Sequence, residues 1–148
     1  MDLPRATVPV LQLSDAGVHD PGNPLAAPCV EVLFSFGMDM AQSQRAEGRG
    51  YALIDTGADV CVIAPHLIPP HARLQKSMPS ISIQGVGTTN VYLVEFSFVG
   101  TPVSFVTQVV SGPVGQGRAY SMIIGRSLLQ ATRFVYDRHH GIAALEIF

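Results

Sequence analysis

Tyr51-Ala52-Leu53-Ile54-Asp55-Thr56-Gly57-Ala58-Asp59-Val60-Cys61-Val62-Ile63 is the stretch on which the reading of the whole chain depends. Apolar residues run up to Asp55, small and turn-forming residues follow, and a second apolar run begins at Val60. Short apolar runs bounded by a turn predict two buried strands. The carboxylate of Asp55 is then pointed into a core or set at its edge. Burying a lone carboxylate is costly unless it is hydrogen-bonded or shares a proton. The plain reading of Asp55-Thr56-Gly57 is a tight turn and no more, since these residue types favour turns. The flanks, with two stretches later in the chain, decide between the two.

Those stretches come in order, Ile83-Gln84-Gly85-Val86-Gly87 and Met122-Ile123-Ile124-Gly125-Arg126. Together with apolar-apolar-Asp-Thr-Gly-Ala-Asp they make the sequence from Cys29 to Thr132 resemble the retropepsins. These are the single-lobed aspartic proteases of retroviruses, retroelements and some cellular and bacterial proteins. The resemblance implies a mostly β fold: a small closed β-barrel of the acid-protease type with one or two short helices, active as a C2 homodimer.

The composition is compatible with this. A chain of 148 residues is one domain by length, and 47% hydrophobic against 14% charged residues is ample for a packed core. The net charge of −2 comes without any basic run, so no nucleic-acid partner is expected. No apolar stretch approaches the roughly 18 residues of a membrane span. No secretory signal is visible, and a cytoplasmic location is the expectation, whether as a free protein or as a domain of a polyprotein or membrane-anchored parent. Cys29 and Cys61 are read as buried small hydrophobes rather than a disulfide framework.

In chain order, residues 1–28 hold five prolines and read as an extended N-terminal arm, with a strand-like piece from Thr7 to Leu13. Residues 29–148 read as the protease domain. Cys29–Phe36 predicts a strand and Met38–Gly50 a flexible connection, and the strand-turn-strand of Tyr51–Ile63 comes next. Pro65–Ile68 has room for one helical turn. Ser80–Phe98 predicts a hairpin with Gly85-Val86-Gly87 at its tip and Tyr92, Val94, Phe96 and Phe98 on one face. Strands are expected at Val103–Val110 and Ala119–Ile124, and a short helix at Ser127–Thr132. A final hairpin spans Phe134–Asp137 and Ile142–Phe148.

Hydrolysis of a peptide bond without metal or nucleophilic side chain needs a water polarised between an acid and a base. Two carboxylates in contact serve, because like charges cannot both ionise and the pair holds one proton. The sequence has a single Asp-Thr-Gly. The catalytic pair therefore requires Asp55 of two chains, related by a twofold axis.

The resemblance supplies the remaining roles. Thr56 resembles the residue whose hydroxyl reaches the partner's backbone, and Gly57 the one that lets backbone and substrate approach the carboxylates. Ala58 stands where two-lobed pepsins carry Ser or Thr. Asp59 is similar to the family's substrate-backbone contact, with Arg126 as its expected, partly buried ion-pair mate. Ile123, Ile124 and Gly125 resemble the segment packed behind the catalytic turn. Gly85, Val86 and Gly87 resemble the tip of the flap that closes over substrate.

His66, His71, His139 and His140 fit no compact Cys/His spacing with Cys61, so no metal is expected, nor any other cofactor. The implied activity is that of an aspartic endopeptidase acting on extended peptides or proteins, with self-processing from a longer precursor. The alternative is a non-catalytic dimerisation or peptide-binding module that keeps the fold.

Overall fold

The computed structural model describes residues 2–37, 46–82 and 85–148, with the backbone alone at 80–82 and 86. The chain forms eleven strands among these residues: β1 (Ala6–Pro9), β2 (Leu11–Leu13), β3 (Ala27–Phe36), β4 (Ala46–Ile54), β5 (Cys61–Ile63), β6 (Leu74–Ser82), β7 (Gly85–Phe98), β8 (Ser104–Ser111), β9 (Met122–Ile124), β10 (Thr132–Asp137) and β11 (Ile142–Ile147). One short helix, α1 (Arg126–Leu129), and one 3-10 turn at Pro65–Leu67 complete the described elements. The fold is mostly β, as the resemblance implies.

Eight strands form one sheet in the order β2-β3-β4-β9-β5-β8-β7-β6, and β7 pairs in addition with β3. Pairing from β3 through β4, β9, β5, β8 and β7 therefore returns to β3. Alternation explains which residues fill the space between these strands. Val30, Val32, Phe34 and Phe36 of β3 are buried, and so are Val94, Phe96 and Phe98 of β7, while Leu33 between them faces out. Phe98 meets Phe105 edge to face, with ring centroids 6.0 Å apart, tying β7 to β8.

A second sheet has the order β1-β11-β10. The N-terminal arm enters both sheets: Ala6–Pro9 pairs with Ala144–Ile147 and Leu11–Leu13 with Ala27–Cys29. Val8 and Val10 belong to the same buried cluster as the strands of the larger sheet.

Three local expectations need correction. The stretch read as a flexible connection, Met38–Gly50, is strand from Ala46 onward, while residues 38–45 lie outside the described residues. Gly48 stands directly opposite Phe34, and a Cβ there would lie 2.3 Å from the ring's Cζ, so this glycine makes room for an aromatic side chain. The hairpin read as starting at Ser80 begins at Leu74, because β6 runs through Pro79. This strand ends its sheet, where a missing N–H is tolerated. The strand read as Ala119–Ile124 is confined to Met122–Ile124. Ser121 instead bridges two elements: its N–H donates to the Tyr51 carbonyl at 3.1 Å and its carbonyl accepts from Ala64 at 3.0 Å.

Candidate active site

The turn at Asp55 is held by three strands and a helix. β9 is inserted between β4 and β5, parallel to the first (Ile54↔Ile124) and antiparallel to the second (Val62↔Ile123). Ile124 is buried, and its carbonyl accepts the Asp55 N–H at 3.1 Å. Ile123 and Ile124 thus lie directly behind the turn. Asp55 itself is half-buried. Its Oδ1 accepts the Gly57 N–H at 2.9 Å, and its carbonyl accepts the Ala58 N–H at 3.2 Å. Such an Asx turn fixes the carboxylate relative to the backbone. A Cβ at Gly57 would stand 3.2 Å from the same Oδ1, so the residue's smallness protects the carboxylate's position.

The helix docks on the turn through its backbone. Arg126 N–H donates to the Ala58 carbonyl at 2.8 Å, and Ser127 N–H to the Asp59 carbonyl at 3.0 Å. These orphan helix N–H groups would otherwise need water. The close approach depends on Gly125. A Cβ there would lie 2.3 Å from the Val60 carbonyl oxygen and 2.9 Å from that of Ala58, both backbone atoms. Backbone partners of this kind leave no composition signal, which is why sequence reading missed Ser127 and the role of the Val60 carbonyl.

Arg126 pairs with Asp59, and its Nη1 donates to the Thr56 carbonyl at 3.0 Å. The pairing of the two motifs is therefore present, but its setting differs from the expected one. In the single chain the side chains are 55% and 81% exposed, so this is a surface pair rather than a partly buried one. Arg126→Ala should accordingly lower the Tm by only a few degrees. An exposed ion pair contributes about 0–1 kcal/mol, and the bond to the Thr56 carbonyl about 1 kcal/mol. Peptide cleavage should fall more steeply, because the turn loses its brace. Melting and cleavage measured on one preparation check this, and a Tm loss above roughly 10 °C would point to a core role instead.

Thr56, Gly57, Asp59 and Val60 are all exposed or partly so, Val60 to 40% although it is apolar. Gly85 and Gly87, expected at a hairpin tip, occupy the first rungs of β7, with Gly85 opposite Ser82 and Gly87 opposite Ser80. Backbone pairing of Val86 with Ile81 lies between them. Ile83 and Gln84 lie outside the described residues. The structure thus brings together Asp55–Asp59 and Ile123–Arg126, and carries Gly85–Gly87 on the β6–β7 pair.

Both cysteines are buried and free. Burial pushes the Cys29 thiol up to about 12 and raises that of Cys61 as well, the latter partly offset by hydrogen bonds from the Gly125 backbone and Ser127. A thiol kept protonated is a poor nucleophile. Neither should react with a disulfide reagent at about pH 8 in the folded protein, and both should react in denaturant. Fast native labelling of either would contradict this burial.

Among the described residues, no group of three or more His, Cys, Asp or Glu is placed to hold a metal ion, and no helix is long and apolar enough to cross a membrane. A family model described as retroviral aspartyl protease matches residues 42–135, well over half of the chain. Comparison with the curated proteins gave no match.

Proposed function

The chain belongs to the retroviral aspartyl protease family, and from that premise we propose that it is a homodimeric aspartic endopeptidase. A single observation carries the reading furthest. One carboxylate, Asp55, is fixed by the Gly57 N–H on a turn whose surroundings are exposed in the isolated chain. One such group can act as acid or as base, and hydrolysis needs both. A second Asp55 across a twofold axis supplies the missing partner, and the pair shares a proton because two like charges in contact cannot both ionise.

Each remaining part has a role in this reading. The carboxylate that is ionised takes a proton from water as the water attacks the peptide carbonyl, while the other protonates the carbonyl oxygen. Thr56 of each chain locks the two turns together. Asp59 holds substrate backbone, with Arg126 keeping both Asp59 and the Thr56 carbonyl in place. Residues 85–87 belong to a flap over an extended peptide. The circuit of strands from β3 to β7 forms the closed barrel that supports the turn. The domain spans residues 29–148, with the arm 1–28 stitched to its sheets.

The test is to incubate the protein with a mixed peptide library over a range of protein concentrations and read products by mass. Cleavage per chain should rise with concentration and then level off, as expected when two chains make one site. The same spectra report any self-cleavage. Full activity in a chain that sediments as a monomer would rule out the shared pair. Dimers that bind peptides without cutting them would make the protein a peptide-binding module.

A further inference from the structure

Of the described residues, Gln12 on β2 is the polar side chain that is both buried and left with an unpaired atom. It is 7% exposed. Its other groups are matched. The N–H donates to His19 Nδ1 at 3.0 Å, the carbonyl accepts the Asp20 N–H at 2.7 Å, and Oε1 accepts the Tyr136 hydroxyl at 3.3 Å. The side-chain amide nitrogen, closed off from water, has no partner among the described residues. A buried donor without an acceptor is costly, and folded proteins keep few of them.

The same residue lines a cavity of about 250 Å³ between the N-terminal arm and the β10–β11 hairpin. Val10, Gln12 and His19 form the arm's side, and Tyr136, Arg138 and Ile142 the hairpin's. No residue of the Asp55 turn or of the segment behind it lines this space. Its polar groups are mostly donors. His19 Nδ1 already accepts from Gln12, so the neutral ring carries its proton on Nε2. Arg138 is exposed and reaches the Pro21 carbonyl only at 3.5 Å, with no ion pair among the described residues. Asp137 brings a negative charge to the lining, but both its oxygens are engaged by His140, through the N–H at 3.1 Å and Nδ1 at 2.6 Å. Val10 and Ile142 supply an apolar wall.

We propose that this cavity binds a small carboxylate with an apolar body, held by Arg138 and the Gln12 amide. A carboxylate offers acceptor oxygens both to the guanidinium fork and to the unpaired amide N–H. The Tyr136 phenol is the movable wall. It is 45% exposed, and turning outward gives up one long bond to Gln12 and its stacking on Phe134. The Gln12 amide is then open to the ligand. A free carboxylic acid and the C-terminal residue of a peptide both present this chemistry. Either occupant touches arm and hairpin together, and so clamps residues 1–28 to the domain. The site does not depend on the shared-carboxylate reading, and either can fail without the other.

Calorimetric titration of the full chain tests the site, with three probes: benzoate, the peptide Ala-Ala-Leu as free acid, and the same peptide as its C-terminal amide. At least one carboxylate probe should bind, and the amide should not. Binding of benzoate assigns the site to free acids as well, and binding of the peptide acid alone assigns it to peptide C-termini. Arg138→Gln and Gln12→Leu should each weaken the carboxylate by about tenfold or more. Gln12→Leu should melt no lower than the parent, because it removes an unpaired buried polar atom. Arg138→Gln changes an exposed side chain, so it keeps the test sound if the first variant folds poorly. Silence of every probe up to about 10 mM, equal binding of acid and amide, or an affinity indifferent to both substitutions overturns the site.

Discussion

Asp55→Asn should reduce peptide cleavage by on the order of 10⁴-fold or more, because on the proposed shared-carboxylate mechanism one substitution removes both acid and base. The fold should survive. Asn has the shape of Asp, and its Oδ1 can still accept the Gly57 N–H that Asp55 accepts at 2.9 Å. The hydrogen bond from Asp55 N–H to the Ile124 carbonyl is a backbone contact and is untouched. The Tm should therefore stay within roughly 3 °C of the parent. Mixing parent and variant chains sharpens the test: mixed dimers retain one carboxylate, so activity should fall faster than the fraction of parent chain. In the parent, cleavage should pass through a maximum with pH, since a fully protonated pair lacks a base and a fully ionised pair lacks an acid. Cleavage that persists in Asp55→Asn at the parent's rate would end the aspartic mechanism for this protein.

Gly125→Ala should be the most damaging single-methyl change near the turn. The added Cβ would meet the Val60 carbonyl oxygen at 2.3 Å, the Val60 carbonyl carbon at 2.7 Å and the Ala58 carbonyl oxygen at 2.9 Å. None of these is a flexible side-chain end that could swing away. The backbone at Gly125 is extended, with φ −97° and ψ −176°, so the objection to a side chain is spatial and not conformational. To relieve the clash α1 must lift from the turn, and with it go the bonds from Arg126 N–H to Ala58 and from Ser127 N–H to Asp59. Overpacking together with two lost hydrogen bonds should cost about 3 kcal/mol or more, which for a chain of this length lowers the Tm by roughly 6–12 °C. Gly57→Ala is the contrasting case. Its Cβ would press only on the Asp55 carboxylate, at 3.2 Å, which can tilt. That variant should melt close to the parent but cleave poorly. Equal melting of the two variants would show that Gly125 does not set the distance between helix and turn.

The order of elements around the turn was legible in the chain because its signals are local. Apolar runs on either side of Asp55-Thr56-Gly57 predict β4 and β5, and alternation in Cys29–Phe36 and Tyr92–Phe98 predicts the strands that line the core. The three motifs in sequence were enough to identify the family. Features that depend on partners distant in sequence were not legible. Gly48 reads as a loop glycine until Phe34 is seen lying over it. The Asp59–Arg126 pair was foreseen from its motifs, but its exposure depends on the path of the chain around it. Two apolar stretches near the termini, Ala6–Pro9 and Ile142–Ile147, give no hint of each other in the sequence. They become neighbours because β11 takes β10 along one edge and leaves the other edge open to β1. Local residue types thus determined which segments are strands and where the turn lies. Only tertiary pairing decided which edges are consumed within the chain, since hydrogen-bond partners across a sheet are set by the closing of the whole fold.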